Sequence, residues 1–270
     1  MLCVSQLYIH PVKSLAGFQL DQVELTDRGP KYDRRWMVVN SADKFVTQRQ
    51  YPKMCLIETG IDDGVLSLSD PSGNVCRVGA AEDEMRPVQV WHDSVAAQDC
   101  GDEVAAWLSN FLDVSVRLVY MPEQSTRLVD GEYAFNDEAV SFADGFPLLV
   151  VSQASLDLLN QKLDLGVGMD RFRPNIVISG CEAHAEDEWQ SIKIAENTLS
   201  LPKPCSRCVI PSIDPATGVK QDQVIKALGD YRRRAGKIYF GQNALIEKTA
   251  EQQGSIIRVG DSISVLESQS

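Results

Sequence analysis

Apolar and polar residues alternate, or gather in short β-branched runs, at 4–9, 18–25, 36–40, 65–68 and 88–91. A period of two is the mark of half-buried strands. The breaks fall on turn-forming residues, at Asp27-Arg28-Gly29-Pro30 and Asp70-Pro71-Ser72-Gly73-Asn74. From 102 to 112 the period lengthens: Val104, Trp107, Leu108 and Phe111 share a helical stripe, with Asp102 as the expected N-cap. Strand patterning returns at 115–120, and residues 121–138 carry charged and turn-forming residues with little period, which predicts a domain junction or a long functional loop. Beyond it the pattern predicts a strand at 148–151, a helix over 153–163 striped by Leu156, Leu159 and Leu163, and a strand at 175–179. A hairpin of 192–195 with 198–201, a helix over 223–229, and a closing hairpin of 255–259 with 262–266 across Gly260-Asp261 complete the reading. The chain is thus α+β and mostly β, with a boundary near residue 120 and no internal repeat.

Charge and composition narrow the function. Among 270 residues, 26 Lys and Arg face 38 Asp and Glu, a formal net charge of −12. A general binder of nucleic-acid backbones needs the opposite balance, so any anion site must be local. No apolar run approaches the roughly 18 to 20 residues of a membrane span, and the start, MLCVSQLYIHPVKS, lacks a basic segment followed by an apolar one. Seven cysteines, an odd number spread thinly along the chain, argue against a disulfide framework. Together these predict an unexported protein of the reducing cytoplasm.

Candidate chemistry gathers in a few places. In Pro204-Cys205-Ser206-Arg207-Cys208 two thiols flank a hydroxyl and a guanidinium. A neighbouring cation favours the thiolate that a metal or an electrophile requires. With Cys181 and His184 upstream, Cys205 and Cys208 also have spacings that a structural zinc site can use. Arg171 and Arg173, two apart before Pro174-Asn175, suit bidentate binding of a phosphate, and the amide of Asn175 suits the edge of a heterocycle. Pro11-Val12-Lys13-Ser14, Asp33-Arg34-Arg35-Trp36 and Thr47-Gln48-Arg49-Gln50 are further anion-site candidates. His10, His92 and His184 fit neither a triad nor a zincin motif, and no Walker loop or Gly-x-Gly-x-x-Gly is present. The run Arg232-Arg233-Arg234 is a solvated face or a docking patch for an acidic partner.

The order of the pieces is itself distinctive: PVKS, DRRW, TQRQYP, SFADGFP, RFRPNIVISGC, PCSRCVIP with DPATG, and FGQN before VGD. In this order, from about residue 1 to 267, the chain resembles the MOSC-domain proteins of the amidoxime-reducing-component and YcbX-like group. The resemblance implies a MOSC β-barrel formed by 1–34 and 121–270, with a smaller, barrel-like MOSC N-terminal domain inserted at 35–120. It implies one molybdenum–molybdopterin cofactor, with Cys208 as metal ligand. Lys13, Ser14, Arg34, Arg173, Asn175, Ser206 and Arg207 then surround the pterin and its phosphate, and Asp144, Gly145 and Phe146 line the same pocket.

The implied activity is the reduction of hydroxylamines, amidoximes or N-hydroxylated base analogues, a detoxifying oxidoreduction in which oxygen leaves the N–O bond at the metal. Arg207 is the expected stabiliser of charge at that oxygen. Electrons are expected from a separate flavin or iron–sulfur protein, since no plant-type Cys-x4-Cys-x2-Cys run occurs and the sequence stops soon after its last hairpin. Two alternatives stay open: a sulfur carrier of cofactor maturation with a Cys208 persulfide, and a zinc-stabilised binding module.

Overall fold

The computed structural model describes residues 1–134, 136–164, 166–247 and 254–268. Strand β1 (Cys3–Ile9) sends Val4, Leu7 and Ile9 into a large apolar core and stops where Pro11 lacks an amide donor. The predicted strand 18–25 is broken at Asp21: β2 (Phe18–Leu20) pairs with β1, whereas β3 (Gln22–Thr26) pairs with β4 (Gly29–Pro30).

The next section holds β5 (Trp36–Asn40), β6 (Glu58–Asp62), β7 (Val65–Ser69), β8 (Val75–Arg77), β9 (Met85–Val90), β10 (Asp93–Asp99), helix α1 (Asp102–Leu112) and β11 (Val116–Tyr120). It forms a four-stranded sheet, β5-β11-β10-β9, and a three-stranded one, β6-β7-β8. Val104, Leu108 and Leu112 of α1 are buried in a core with Val38, Leu68 and Leu118. Burial of such a side chain stabilises by roughly 1.5 to 3 kcal/mol, so packing fixes this helix more than propensity does. Its N-cap is Gly101 and not Asp102. Asp99 Oδ1 accepts from Gly101 N at 2.9 Å, while Asp102 stands in the first turn and pairs with Arg117 at 2.9 Å.

The second half brings β12 (Leu148–Ser152), α2 (Gln153–Asn160) and β13 (Ile176–Ser179), the two strands running parallel. Helix α2 is shorter than predicted because the Asn160 amide turns the chain, donating to Val167 O at 3.0 Å and accepting from Val167 N at 2.9 Å. The predicted hairpin is present and longer, as β14 (Trp189–Ile194) and β15 (Asn197–Ser206). Helix α3 (Gln223–Arg232), the two-residue β16 (Arg233–Arg234) and β17 (Lys237–Ile246) follow.

The last strands correct the sequence reading. β18 (Ile256–Arg258) pairs with β3, and β19 (Ile263–Ser268) pairs with β14. Gly260 does make a turn, at φ 94°, but it sends the two strands to different sheets, so no hairpin forms between them.

At 41% strand against 17% helix the protein is mostly β. Its main sheet has nine strands, in the order β19-β14-β15-β17-β12-β13-β1-β2 with β16 attached to β17. The first strands of the chain therefore lie in one sheet with the second half. Where this sheet meets the four-stranded one, Lys13 N donates to Trp36 O at 2.9 Å, Arg34 N to His10 O at 2.8 Å and Phe142 N to Arg34 O at 3.0 Å. The aperiodic stretch 121–138 is pinned to this seam by Arg127, whose Nη1 donates to Ser141 O at 2.8 Å and Ala143 O at 2.6 Å.

Candidate functional site

A cavity of about 130 Å³ opens at the seam. Its lining includes Lys13, Ser14, Arg34, Asp144, Gly145, Phe146, Arg173, Asn175, Ser206, Arg207 and Cys208, so every site residue implied by the resemblance comes to one place, whereas Arg171 turns away to Gln221 and Asp214. Lys13 and Ser14 follow the end of β1, Arg34 precedes β5, Arg173 ends a 3-10 turn before β13, and Ser206 closes β15. Ser14 (φ 71°), Arg34 (φ 49°) and Arg173 (φ 54°) all hold the left-handed backbone region. That conformation costs a residue with a side chain on the order of 1 kcal/mol or more and persists where surrounding bonds fix it.

Two acids anchor the cations. Lys13, 5% exposed, donates from Nζ to Phe142 O at 2.8 Å and to Asp144 Oδ1 at 2.5 Å. Desolvation works against the charge of Asp144, but Lys13 and then Arg49 outweigh it and hold its carboxyl well below the usual range. Arg34 donates to Asp33 Oδ2 at 2.6 Å, Asn175 Oδ1 at 3.2 Å and Arg173 O at 2.9 Å.

Three of the four hydrogen bonds that the Asn175 amide can make go to protein groups. Oδ1 also accepts from Leu149 N at 3.2 Å, and Nδ2 donates to Tyr8 O at 3.3 Å. It braces the ends of β1 and β12 and orients Arg34 from the lining of the cavity.

The thiols have different partners. Arg207 donates from Nη1 to Cys205 Sγ at 3.1 Å and from Nη2 to Phe172 O at 2.8 Å. Cys208 Sγ instead accepts from Arg49 Nη2 at 3.3 Å, and the same nitrogen reaches Asp144 Oδ2 at 3.4 Å. Trp91 Nε1 donates to Asp144 Oδ1 at 3.3 Å, and its ring lies 4.8 Å from the guanidinium of Arg49. Sequence reasoning marked Arg49 as an anion-site candidate without tying it to the thiol, and missed Trp91, which leaves β9 for a turn with φ 55°.

Arg173 is the unfinished piece. Nη1 donates to Leu15 O at 2.6 Å, while Nη2 is buried without a partner. Burial, and then the nearby Arg34, pull its pKa down to about 9. A buried unpaired donor on a cation is costly, and an anion beside it offsets that cost.

Protonation of Arg173 is linked to folding stability. The burden is present wherever Arg173 is charged, below about 9, and eases as pH rises from there toward the ordinary guanidinium value. Inorganic phosphate is therefore expected to raise the melting temperature of the cofactor-free protein at pH 7 and to lose this effect above about 9. Arg173→Ala should show no phosphate effect at either pH. A phosphate response that ignores both pH and this substitution would place the anion elsewhere.

Other expectations are changed. Cys181 packs against the main-sheet core, and His184 stands against Tyr231 and Phe240, with ring centroids 5.7 and 5.8 Å apart. Among the described residues no group of three His, Cys, Asp or Glu is placed to hold a metal, and Cys205 and Cys208 face arginines, so the zinc arrangement does not form. Of the histidines, His10 is buried with Nε2 3.1 Å from Pro174 O and Nδ1 unpartnered. Arg232 is 9% exposed and bound to Asp187, which Arg234 also contacts at 2.9 Å, so one arginine of the run is taken into the fold while Arg233 and Arg234 stay exposed. Among the described residues no helix is long and apolar enough to cross a membrane.

Residues 1–115 match the MOSC N-terminal beta barrel domain, and residues 137–264 match the MOSC domain. Mitochondrial amidoxime-reducing component 1 of Mus musculus is 34% identical over 284 residues, spanning 97% of this chain and 82% of that protein. The Homo sapiens protein of the same name is 33% identical over 297 residues, with the same 97% and 82% coverage. Among solved structures, the YUAD protein from Bacillus subtilis aligns with 97% of this chain and 94% of its own at 13% identity and a TM-score of 0.43. By two matched domains and by relatives alike over nearly its whole length, the chain belongs to the MOSC-domain family that includes the amidoxime-reducing components.

Proposed function

We propose that the protein is a reductase of N-hydroxylated compounds that holds molybdenum–molybdopterin in the seam cavity. The observation that carries this reading is the meeting of two half-buried thiols, Cys205 and Cys208, with Lys13, Arg34, Arg173 and Arg207 around one cavity, where a buried Arg173 donor has no protein partner. This donor set fits the group: a soft thiolate for the metal and guanidinium forks for a phosphate. In this assignment Cys208 ligates the metal, Arg173 and Lys13 meet the anionic end, and Ser14, Ser206 and the 144–146 loop enclose the rest. The main sheet, which joins β1 and β2 to the second half, supports a MOSC unit of 1–34 with 121–270 and an insert at 35–120.

When bound, the cofactor supplies the two-electron centre at which the N–O bond is cut. The balance is R–NHOH plus two electrons and two protons, giving R–NH2 and water. Around that chemistry Arg34 and Asn175 keep Arg173 in place, and Arg127 fixes the loop that carries Asp144.

The seven thiols are all free, which agrees with a reducing compartment. We place the protein in the cytoplasm, although the names of its relatives place those proteins in mitochondria. The electron donor is a separate flavin or iron–sulfur protein, since the cysteines of this chain are dispersed.

Elemental analysis of the purified protein, paired with turnover of benzamidoxime under a chemical reductant, tests the reading. Molybdenum stoichiometric with the chain and amine formation are expected, with no turnover from NADH unless a carrier protein is added. Sulfane sulfur without molybdenum would instead identify a sulfur carrier.

A further inference from the structure

The Thr47-Gln48-Arg49-Gln50 segment has no part in the cofactor assignment, yet it delivers a guanidinium to Cys208 from the opposite side of the seam. Resting on the function proposed above, we infer that Arg49 binds the oxygen of the substrate's N–O group. Position is the first argument. Arg49 Nη2 lies 3.3 Å from the Sγ that the proposal makes the metal's ligand, so its fork borders the place where the reacting oxygen must sit.

Restraint is the second. The side chain is 23% exposed, lies along Trp91 at 4.8 Å and leans on Asp144 at 3.4 Å. An arginine held on an aromatic face beside a carboxylate has lost most of its freedom before any substrate arrives, and a preorganised, partly desolvated donor stabilises negative charge on oxygen far better than a solvated one.

Unused donors are the third. Among the described residues Arg49 hydrogen-bonds through Nη2 alone, leaving Nε and Nη1 available. The three arginines that line the cavity are instead tied to backbone: Arg34 to Arg173 O, Arg173 to Leu15 O and Arg207 to Phe172 O. Arg207, expected from the sequence to serve the oxygen, spends its other nitrogen on Cys205.

The test uses the molybdenum-loaded enzyme carrying Arg49→Met, which keeps length and removes every donor, and Arg49→Lys, which keeps the charge and loses the fork. Benzamidoxime is the probe, read by steady-state kinetics under a chemical reductant and by calorimetric binding to the resting enzyme. Arg49→Met is expected to lose roughly 100-fold in kcat/KM and to bind the probe measurably more weakly, at wild-type molybdenum content and nearly wild-type melting temperature. Arg49→Lys should recover part of both losses. Unchanged affinity and kcat/KM in Arg49→Met would overturn the assignment, as would losses in both variants that merely follow their molybdenum content. A wild-type enzyme that holds molybdenum and reduces nothing fails the functional reading and this assignment with it, whereas an active wild type beside an indifferent Arg49→Met fails the assignment alone.

Discussion

Cys208→Ser is expected to abolish turnover and molybdenum binding while the protein unfolds at nearly its usual temperature. The thiol stands half-buried at the cavity with one hydrogen bond, from Arg49, so little of the packing depends on it. A hydroxyl is a poor ligand for a soft metal site and stays protonated where a thiol yields its proton. Cys205→Ser should be much milder. Its sulfur accepts from Arg207 at 3.1 Å and packs beside the Phe172 and Phe240 core, so a hydroxyl can keep the bond and loses only apolar contact. Molybdenum content and amine formation measured on both variants decide the matter: an active Cys208→Ser beside a dead Cys205→Ser would reverse the ligand assignment.

The second large effect is expected at Asn175. This residue is 2% exposed, and Asn175→Ala would strand Leu149 N and Tyr8 O and take from Arg34 Nη1 one of its two acceptors, leaving it Asp33. Each buried group left unpaired costs about 1 to 3 kcal/mol. The variant should therefore lose about 2 kcal/mol or more, a fall in melting temperature on the order of 4 to 8 °C for a chain of this size. Cofactor content should fall as well, because Arg34 and Arg173 share the brace. Thermal unfolding that stays within a degree or so of wild type would show that the three partners find substitutes.

The site was far more legible in the sequence than the strands that carry it. Its polar residues stand at chain turns, at PVKS, DRRW, RPN and CSRC, where short runs of charged and small residues interrupt apolar patterning and so announce themselves. Strand β17 stayed hidden because Gly241-Gln242-Asn243 breaks its alternation. In the structure Gly241 takes φ 79°, and Gln242 is buried with its amide on Asp187 at 2.8 Å, a solution that only tertiary contacts reveal. Gly260-Asp261 makes the turn that its residues dictate, but turn chemistry is local and says nothing about which strand lies beside each arm. The same limit hid Arg49 and Trp91. Their partners are Asp144 and Cys208, far away in sequence and joined to them only when the two sheets meet.

The sheet order also sets a timetable for synthesis. β1 leaves the ribosome first, yet its register partners run from Cys3 opposite Ser179 to Leu7 opposite Ile176. With β2 on its other side, this edge of the strand must wait unpaired while the whole of 36–120 emerges and closes its own shorter-range sheets. Pairing across so long an interval is slow, and an unpaired apolar edge is open to wrong partners meanwhile. Lys13 and Ser14 ride on the end of that waiting strand and Arg173 arrives with its late partner, so the two halves of the anion site meet only when the main sheet closes, and a nascent chain has nowhere to put the phosphate before then.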